Sequence, residues 1–187
     1  MTANSMKILA LSGSLRAASI NTALLQAAAR LAPNDMEVSV FVGLGLLPLF
    51  NPDDEGNPPT PVRDFRVQVA AADALLIASP EYAHGVTGTI KNALDWLVSF
   101  EPFAYKPVAV LNASPRACHA DDALRETLKT MAAKIIEPAS ITLPLLGAHL
   151  DEDGMCAAPT IAGAIRNCLD ALHAGALSHQ LQQADEP

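Results

Sequence analysis

A turn near the start of the chain, residues 10–24, gathers side chains that could bind an anion. It follows an apolar run over 6–11 that predicts a buried strand, and it leads into apolar residues at helical spacing. A glycine in it permits a tight turn, and its polar groups are hydroxyls, an amide and a guanidinium: Gly13, Ser14, Arg16, Ser19, Asn21 and Thr22. Such a joint also directs backbone N–H groups and the positive end of the helix dipole toward one point. The turn therefore predicts an anion site, with a phosphate monoester as the ligand.

The same residues have a second interpretation. Ser and Thr before a helix are common N-caps, and strand–turn–helix joints with a glycine occur in many α/β proteins. The turn is neither a GxGxxG nor a GxxxxGK(S/T) loop. By itself it leaves a capped helix and an anion site open.

The composition favours one globular domain. Of the 187 residues, 50% are hydrophobic and only 17% are charged, so the chain can bury a sizeable core without crosslinks. The net charge of −8 opposes binding to nucleic acid or to an anionic membrane. An anionic ligand must therefore be held by local backbone dipoles and a few well-placed cations.

The cysteines and the N-terminus indicate a reducing environment. Cys118, Cys156 and Cys168 are odd in number and lack CxxC spacing, which argues against a disulfide framework and a zinc site. Residues 1–6 have no apolar stretch of signal-peptide length, and no segment has 18 uninterrupted apolar residues. We expect a cytoplasmic protein with no metal site and no membrane span.

Apolar periodicity predicts strands and helices in alternation. Strands are expected over 6–11, 36–42, 74–79, 107–111 and 139–143. Helices are expected over 19–31, 60–72, 87–99 and 120–134 and from 159 onward, with Thr60 as the N-cap of the second and Pro61 as its first residue. This order predicts an α/β fold, a doubly wound five-stranded parallel sheet with helices on both faces. The chain would form a single domain over 1–187, with 1–5 and 180–187 as flexible tails.

Three polar loops would meet at one edge of this sheet. Ligands of doubly wound sheets bind beyond the carboxyl ends of the strands, where the strand order reverses. The turn after the first strand, residues 80–85 after the third and residues 112–117 after the fourth would converge there. The long loop over 43–60 either walls a pocket through 46–50 or pins that apolar segment to the core.

Three motifs carry a resemblance to a known family. They are Gly13-Ser14-Leu15-Arg16 with Ser19 and Asn21, then Pro80-Glu81-Tyr82, and then Gly88 with Lys91-Asn92-Ala93-Leu94-Asp95-Trp96. Over residues 6–131 the chain resembles the NADPH-dependent FMN reductases of flavodoxin-like fold, a group that includes quinone, chromate and azo-dye reductases. The resemblance implies an enzyme that holds FMN and uses NADPH or NADH as co-substrate.

The resemblance also implies the residues that contact the cofactor. Those around the FMN phosphate would be Ser14, Leu15, Arg16, Ser19, Ile20 and Asn21, with Gly13 and Thr22 from the same turn. Those near the isoalloxazine ring would be Pro80, Glu81, Tyr82, Ala83 and Gly85 on one side and Ser114 on the other. Arg116 would contact the ring edge or a nicotinamide nucleotide phosphate, or else remain a solvated loop residue.

Two departures from the family pattern concern these loops. Many relatives have a longer, glycine-rich loop after the fourth strand, whereas 112–119 is compact and contains Pro115, which has no N–H to donate. Many relatives have Asn where this chain has Ala83. A backbone contact at Ala83 would survive that change.

The sequence assigns no catalytic residue. His84 and His119 are candidates for proton donors to a quinone, or are surface residues. Glu81 is more readily a structural group than a general base, because hydride transfer to a flavin needs none.

Two further function classes stay open. One is a flavodoxin-like FMN electron carrier that does not oxidise NAD(P)H, and the other is a binding module that has lost flavin. The resemblance favours a ping-pong oxidoreductase that passes electrons to a quinone, a nitro or azo compound, a metal oxyanion or free flavin. It also implies a homodimer or homotetramer.

Overall fold

A five-stranded parallel sheet forms the centre of the computed structural model, which describes residues 5–184. The strands are β1 (Met6–Ser12), β2 (Met36–Val40), β3 (Ala74–Ala78), β4 (Pro107–Leu111) and β5 (Lys134–Ile135). Their order across the sheet is β2-β1-β3-β4-β5, and every adjacent pair is parallel. The order reverses between β1 and β3, so the predicted doubly wound α/β fold is confirmed. The first four strands begin where the sequence predicts them.

The predicted fifth strand is wrong in position. Only Thr142 of the segment 139–143 pairs with the sheet, as an isolated bridge to Asn112. β5 instead lies at Lys134–Ile135, starting at the last residue of the predicted fourth helix, and a 3-10 turn over Glu137–Ala139 follows it. The hydroxyl of Ser140 accepts the Val110 N–H at 3.1 Å, so a side chain takes a hydrogen bond that a longer strand would supply.

Six α-helices lie within the described residues, one more than predicted. They are α1 (Ile20–Leu31), α2 (Thr60–Ala71), α3 (Gly88–Asp95), α4 (Cys118–Thr130), α5 (Glu152–Ala157) and α6 (Pro159–Ala184). The additional helix is α5, whose N-cap Asp151 accepts the Gly154 N–H at 2.9 Å. Because the sequence there has no apolar periodicity, it predicted a loop.

Several helix ends also differ from the prediction. α4 runs over Cys118–Thr130 instead of 120–134. Thr60 is the first residue of α2 rather than its N-cap, since Pro59 precedes the helix and offers no side-chain hydrogen bond. α3 ends at Asp95 instead of continuing to 99. α6 continues to Ala184, so residues 180–184, predicted as part of a flexible tail, are helical. The other residues predicted as tails, 1–4 and 185–187, lie outside the described part of the chain.

The helices cover the sheet in two layers. α1, α5 and α6 pack on one face, where alternate strand residues such as Ile8, Ala10 and Leu76 point. α2, α3 and α4 pack on the other, against residues such as Leu9, Leu75 and Val110. Strands buried on both faces have near-continuous apolar sequences, which is why β1, β3 and β4 were readily predicted.

The long loop over 43–60 is pinned to α3. Asn92 Oδ1 accepts the Phe50 N–H at 2.8 Å, and the indole N–H of Trp96 donates to the Pro48 carbonyl at 2.8 Å. The Phe50 ring stands edge-on to the buried Trp96 ring, with centroids 5.1 Å apart. Of the two interpretations of this loop, attachment to the core is confirmed.

Candidate functional site

A cleft of about 320 Å³ lies at the carboxyl ends of β1, β3 and β4. The three predicted loops converge on it, together with one residue from a later loop. The lining residues are Ser14, Arg16, Ser19, Ile20, Asn21, Ser79, Pro80, Glu81, Tyr82, Asn112, Ala113, Ser114, Arg116, Ala117 and Leu146. The cleft therefore occupies the predicted edge of the sheet, where the strand order reverses.

One end of the cleft is the N-terminus of α1. Ser19 caps the helix by accepting the Thr22 N–H at 3.2 Å. The amides of Ile20 and Asn21 belong to the first helical turn, where the helix itself supplies no acceptor. Asn21 is only 4% exposed, and its Oδ1 atom has no hydrogen-bond partner among the described residues. This end of the cleft thus offers backbone donors, the helix dipole and the Arg16 guanidinium to an anion.

Thr22 lies behind the turn rather than in the cleft lining. Its hydroxyl hydrogen-bonds the Ser12 hydroxyl at 2.7 Å, and Ser12 Oγ also accepts the Ser14 N–H at 3.4 Å. Both hydroxyls are therefore used within the turn. They fix the backbone that presents Ser14 to the cleft.

Gly13 also lies outside the lining. It allows the loop after β1 to approach the loop after β3 closely. A Cβ atom built on Gly13 would lie 2.2 Å from Ser79 Oγ and 2.7 Å from Ser79 Cβ. Thr87 Oγ1 donates to the Gly13 carbonyl at 2.7 Å, while the Gly13 N–H donates to the Ala78 carbonyl at 2.8 Å. Gly13 is required for contact with the loop after β3.

Leu15 points away from the cleft. It is 66% exposed, and a Cβ built on Gly45 would lie 2.9 Å from Leu15 Cδ2. The Leu15 side chain therefore packs over Gly45 and is not part of the cleft lining, and the predicted contact of Leu15 with the phosphate stays a prediction.

The loop after β3 ends in a two-residue turn. Tyr82 and Gly85 exchange backbone hydrogen bonds of 3.2 and 3.0 Å, and the residues between them, Ala83 and His84, have φ values of 50° and 59°. Residues other than glycine rarely adopt this left-handed conformation, and Asn tolerates it better than Ala does. Pro80, Glu81 and Tyr82 line the cleft, whereas Ala83 and Gly85 lie outside its lining.

Contacts from this loop reach the start of α4. Glu81 Oε2 accepts the Ala120 N–H at 2.9 Å, which supports the structural role expected for Glu81. The imidazole rings of His84 and His119 stack with centroids 4.4 Å apart and an interplanar angle of 13°. Neither histidine lines the cleft, so their predicted role as proton donors stays a prediction.

The loop after β4 is held by the Asn112 side chain. Asn112 Oδ1 accepts the Ser114 N–H at 3.0 Å, and its Nδ2 donates to the Ala117 carbonyl at 3.3 Å. The Arg116 N–H donates to Ser114 Oγ at 3.2 Å. The Asn112 side chain thus closes this compact loop around Pro115.

Five lining residues were not predicted: Ser79, Asn112, Ala113, Ala117 and Leu146. Leu146 comes from a loop far along the chain, and its N–H donates to the Ala113 carbonyl at 3.2 Å. Asn112 had a detectable signal, since it begins the polar loop at the end of a buried strand. The sequence carries no comparable signal for Leu146.

The three cysteines are free thiols in different surroundings. Cys118 is exposed at the start of α4, Cys156 is partly buried and Cys168 is buried. Burial raises the pKa of the Cys168 thiol to about 12. Within residues 5–184 no three His, Cys, Asp or Glu side chains are grouped to hold a metal ion, and no helix has the length and apolar character needed to cross a membrane.

A parallel sheet of this order, with a polar cleft at its carboxyl edge and a helix N-terminus at one end of the cleft, defines a protein of flavodoxin-like fold. The family model for NADPH-dependent FMN reductases matches residues 6–147, and the chain belongs to that family. The predicted family and fold class are thereby confirmed.

Related proteins of known name agree with this assignment. The chain is 45% identical over 113 residues to an NAD(P)H-dependent FMN reductase of Pseudomonas aeruginosa, covering 58% of this chain and 60% of that protein. It is 36% identical over 114 residues to a quinone reductase of Escherichia coli, covering 58% and 60% of the two chains. The matched segment therefore spans about three-fifths of these relatives.

Solved structures extend the similarity to almost the whole chain. FerB, a flavoenzyme NAD(P)H:(acceptor) oxidoreductase from Paracoccus denitrificans, superposes with a TM-score of 0.79 at 26% identity. The superposition covers 93% of this chain and 98% of FerB. An NADH:FMN oxidoreductase in its apo form has the same fold, with a TM-score of 0.65 at 22% identity over 91% of this chain and 90% of that one.

Proposed function

We propose that the cleft binds FMN and that the protein is an NAD(P)H-dependent oxidoreductase. The observation that carries this proposal is that the two ends of the cleft differ. The N-terminus of α1, which favours an anion, lies at one end, and the loops after β3 and β4 lie at the other. A flavin mononucleotide also has two different ends, a phosphate and a planar ring.

The chain's groups at the α1 end suit a phosphate. Arg16 provides a permanent charge and Ser14 and Ser19 provide hydroxyls, beside the free amides of the first turn of α1. Asn21 Oδ1 is left for a donor, such as a hydroxyl of the sugar-alcohol chain that joins phosphate and ring. Among the described residues, no side chain donates a hydrogen bond to Asn21 Oδ1.

The chain's groups at the other end would hold the ring. Pro80, Glu81 and Tyr82 present one wall, and Ser114 and Arg116 present another. Bound FMN would supply the redox chemistry by accepting a hydride from NAD(P)H and passing the electrons to an acceptor. The loop backbones, which Asn112 and Glu81 hold in place, orient the ring and offer donors to charge that develops on it.

We further propose small-molecule acceptors and a ping-pong mechanism. The acceptors would be a quinone, a nitro or azo compound, a metal oxyanion or free flavin. The names of the relatives support a quinone or a flavin. NAD(P)H and the acceptor would use the same open face of the bound flavin in turn.

The surroundings proposed for the protein follow from its charge and its thiols. A net charge of −8 disfavours nucleic acid and anionic membranes as partners. Three free cysteines suit the cytoplasm. We propose a homodimer or homotetramer, with exposed apolar side chains such as Tyr82 and Val98 available for an interface.

An absorption spectrum tests the function. The purified protein is incubated with excess FMN, desalted and then mixed with NADPH without oxygen. Retained yellow colour that bleaches on mixing is the expected result. Retained colour that does not bleach would favour the electron carrier, for which the acidic charge is the supporting observation. A protein that retains no flavin and quenches no flavin fluorescence would contradict the proposal.

A further inference from the structure

A small cavity lies behind the cleft, between the sheet and the start of α4. It has a volume of about 10 Å³, which is about the smallest space that holds one water molecule. Three residues line both the cavity and the cleft: Ser79, Asn112 and Ala117. The other residues around the cavity come from β4 and from α4, among them Asp121. The cavity therefore touches both loops that are proposed to hold the flavin ring.

Asp121 brings a buried charged oxygen to this cavity. Its Oδ2 atom accepts a hydrogen bond from Arg125 Nε at 2.7 Å, and Arg125 also pairs with Glu137 at 2.8 Å. Its Oδ1 atom is buried and accepts no hydrogen bond from the described residues. A buried carboxylate oxygen is costly without a donor, and the Arg125 bond holds this carboxylate in place. A molecule in the cavity is therefore the donor that Oδ1 needs.

Asn112 brings a hydrogen-bond donor to the same cavity. It is only 7% exposed, and its Nδ2 atom carries two N–H groups. One N–H donates to the Ala117 carbonyl at 3.3 Å. The second N–H can donate to an acceptor in the cavity. The cavity thus has a donor on its β4 side and an acceptor on its α4 side.

Water fits this lining better than a metal ion does. Ca²⁺ and Mg²⁺ need about six oxygen ligands or more. Much of the lining is instead apolar, from Val110, Leu111, Ala120 and Leu124. A water molecule needs only about two to four polar partners, and it both donates and accepts.

We propose that one water molecule is bound in this cavity, where it donates to Asp121 Oδ1 and accepts from Asn112 Nδ2. Its second hydrogen would go to Ser79 Oγ, whose contacts with the Pro80 carbonyl and Thr87 Oγ1 are both long, at 3.4 Å. Three polar partners are the usual number for a buried water.

Through this water Asp121 is a positioning residue for the loop after β4. The water holds the Asn112 side chain, and Asn112 Oδ1 in turn accepts the Ser114 N–H at 3.0 Å. These hydrogen bonds do not depend on a flavin. Their effect on a flavin rests on the proposed function, because Ser114 is one of the residues proposed to face the ring.

A high-resolution crystal structure of the flavin-free protein tests the water directly. We expect density for one water molecule within about 3.2 Å of both Asp121 Oδ1 and Asn112 Nδ2. A dry cavity, or a water that contacts Asp121 without contacting Asn112, would overturn the bridge.

Amide hydrogen exchange of Ser114 in solution tests the positioning role. Asp121→Leu fills the cavity, so Ser114 exchange should accelerate at least about tenfold relative to that of Leu76, a core amide of β3 that reports global unfolding. Asp121→Asn should stay within about twofold of wild type, because its amide oxygen can accept from Arg125 while its amide nitrogen donates to the water. The matched control is Asp122→Leu, at an exposed position of the same helical turn outside the cavity, and it should also stay within about twofold.

The outcomes separate the bridge from the ion pair and from the proposed function. Equal acceleration in Asp121→Asn and Asp121→Leu would assign the effect to the Arg125 pair and overturn the bridge, as would unchanged Ser114 exchange in Asp121→Leu. Asp121→Leu should also weaken FMN and riboflavin by the same factor, at least about threefold, because the loop lies at the ring end. Unchanged affinity for both flavins would overturn the positioning of the ring. Failure of wild type to bind FMN would overturn the proposed function and leave the structure and the exchange rates to decide on the water.

Discussion

Glu81 caps a helix that begins 37 residues later in the chain. Its Oε2 atom accepts the backbone N–H of Ala120 at 2.9 Å, in the first turn of α4 (Cys118–Thr130). The residue before that helix, Ala117, has no side chain that could do so. One carboxylate therefore joins the loop after β3 to the loop after β4, the two loops proposed to hold the flavin ring.

Removing this carboxylate should destabilise the protein. Glu81→Ala leaves a buried N–H without its acceptor and should lower the free energy of unfolding by about 1–2 kcal/mol. Glu81→Gln keeps an amide oxygen and should lose less. Urea unfolding followed by circular dichroism measures both. Glu126→Ala, at an exposed position of the same helix, is the control and should stay within about 0.5 kcal/mol of wild type. Equal loss in the alanine and glutamine variants would show that the charge, not the hydrogen bond, matters.

Arg16 should contribute to flavin affinity through the phosphate. Arg16→Ala removes a charge-assisted contact and should weaken FMN by about 1.5–3 kcal/mol, which is roughly 10- to 150-fold in Kd. Quenching of flavin fluorescence measures the Kd. Riboflavin, which lacks the phosphate, should bind wild type and the variant alike. Arg166→Ala on α6, an exposed arginine outside the cleft, should leave the FMN affinity unchanged. An Arg16→Ala variant of wild-type affinity would remove Arg16 from the site.

Two glycines should respond oppositely to the same substitution. Gly13→Ala places a methyl group 2.2 Å from Ser79 Oγ and should destabilise the protein by about 1–3 kcal/mol. Gly88→Ala, in the first turn of α3, meets no atom within 4 Å and should be neutral or stabilising by up to about 1 kcal/mol. Thermal unfolding compares the two. A neutral Gly13→Ala variant would mean that the turn after β1 can move away from Ser79 at no cost.

Cys168 should make stability fall at alkaline pH. Burial raises the pKa of its thiol from 9.0 to about 12, so the native state keeps a proton that the unfolded state loses between these values. Its contribution to the free energy of unfolding is complete below pH 9 and is lost as the pH rises toward 12. In urea titrations the difference in stability between wild type and Cys168→Ala should therefore shrink between pH 8.5 and pH 10, by about 1 kcal/mol.

Alkylation gives an independent check on the same thiol. In native protein at pH 8 the exposed Cys118 should react with iodoacetamide while Cys168 should not. Both should react in urea. Rapid native modification of Cys168 would contradict its burial between α6 and the sheet.

The parts of the fold that sequence predicts are those with strong local patterns. β1, β3 and β4 are apolar runs buried on both faces, and α1 begins at a serine cap that the structure retains. β5 has only two residues and is followed by a turn containing Pro138, so its pairing with β4 depends on where α4 ends. No local sequence pattern predicts where α4 ends and β5 begins. α5 was missed because its six residues have no apolar periodicity, although Asp151 at its N-cap, with Glu152 and Asp153 after it, is a local signal for a helix start.

The site was predictable where it is made of loops that follow strands. Arg16, Asn21 and Ser114 lie in the cleft as predicted, because parallel strands bring such loops to one edge. Leu146 was missed because it lies far along the chain from the strand ends. It is held beside the cleft by the hydrogen bond from its N–H to the Ala113 carbonyl. Thr22 and Gly13 lie in the predicted turn. The Thr22 hydroxyl bonds Ser12, and the Gly13 backbone bonds Thr87 and Ala78, so both residues fix the conformation of the turn.

The segment that matches the family model is shorter than the segment that forms the packed core of this chain. The family model ends at residue 147, whereas α6 (Pro159–Ala184) lies beyond it and supplies Ile165, Leu169 and Leu172 to one face of the sheet. A fragment trimmed to residues 6–147 would expose that face to water. The exposed apolar surface would then associate with the same surface of other chains. Recombinant boundaries chosen from the matched segment would therefore yield aggregates, however well they preserve the cleft.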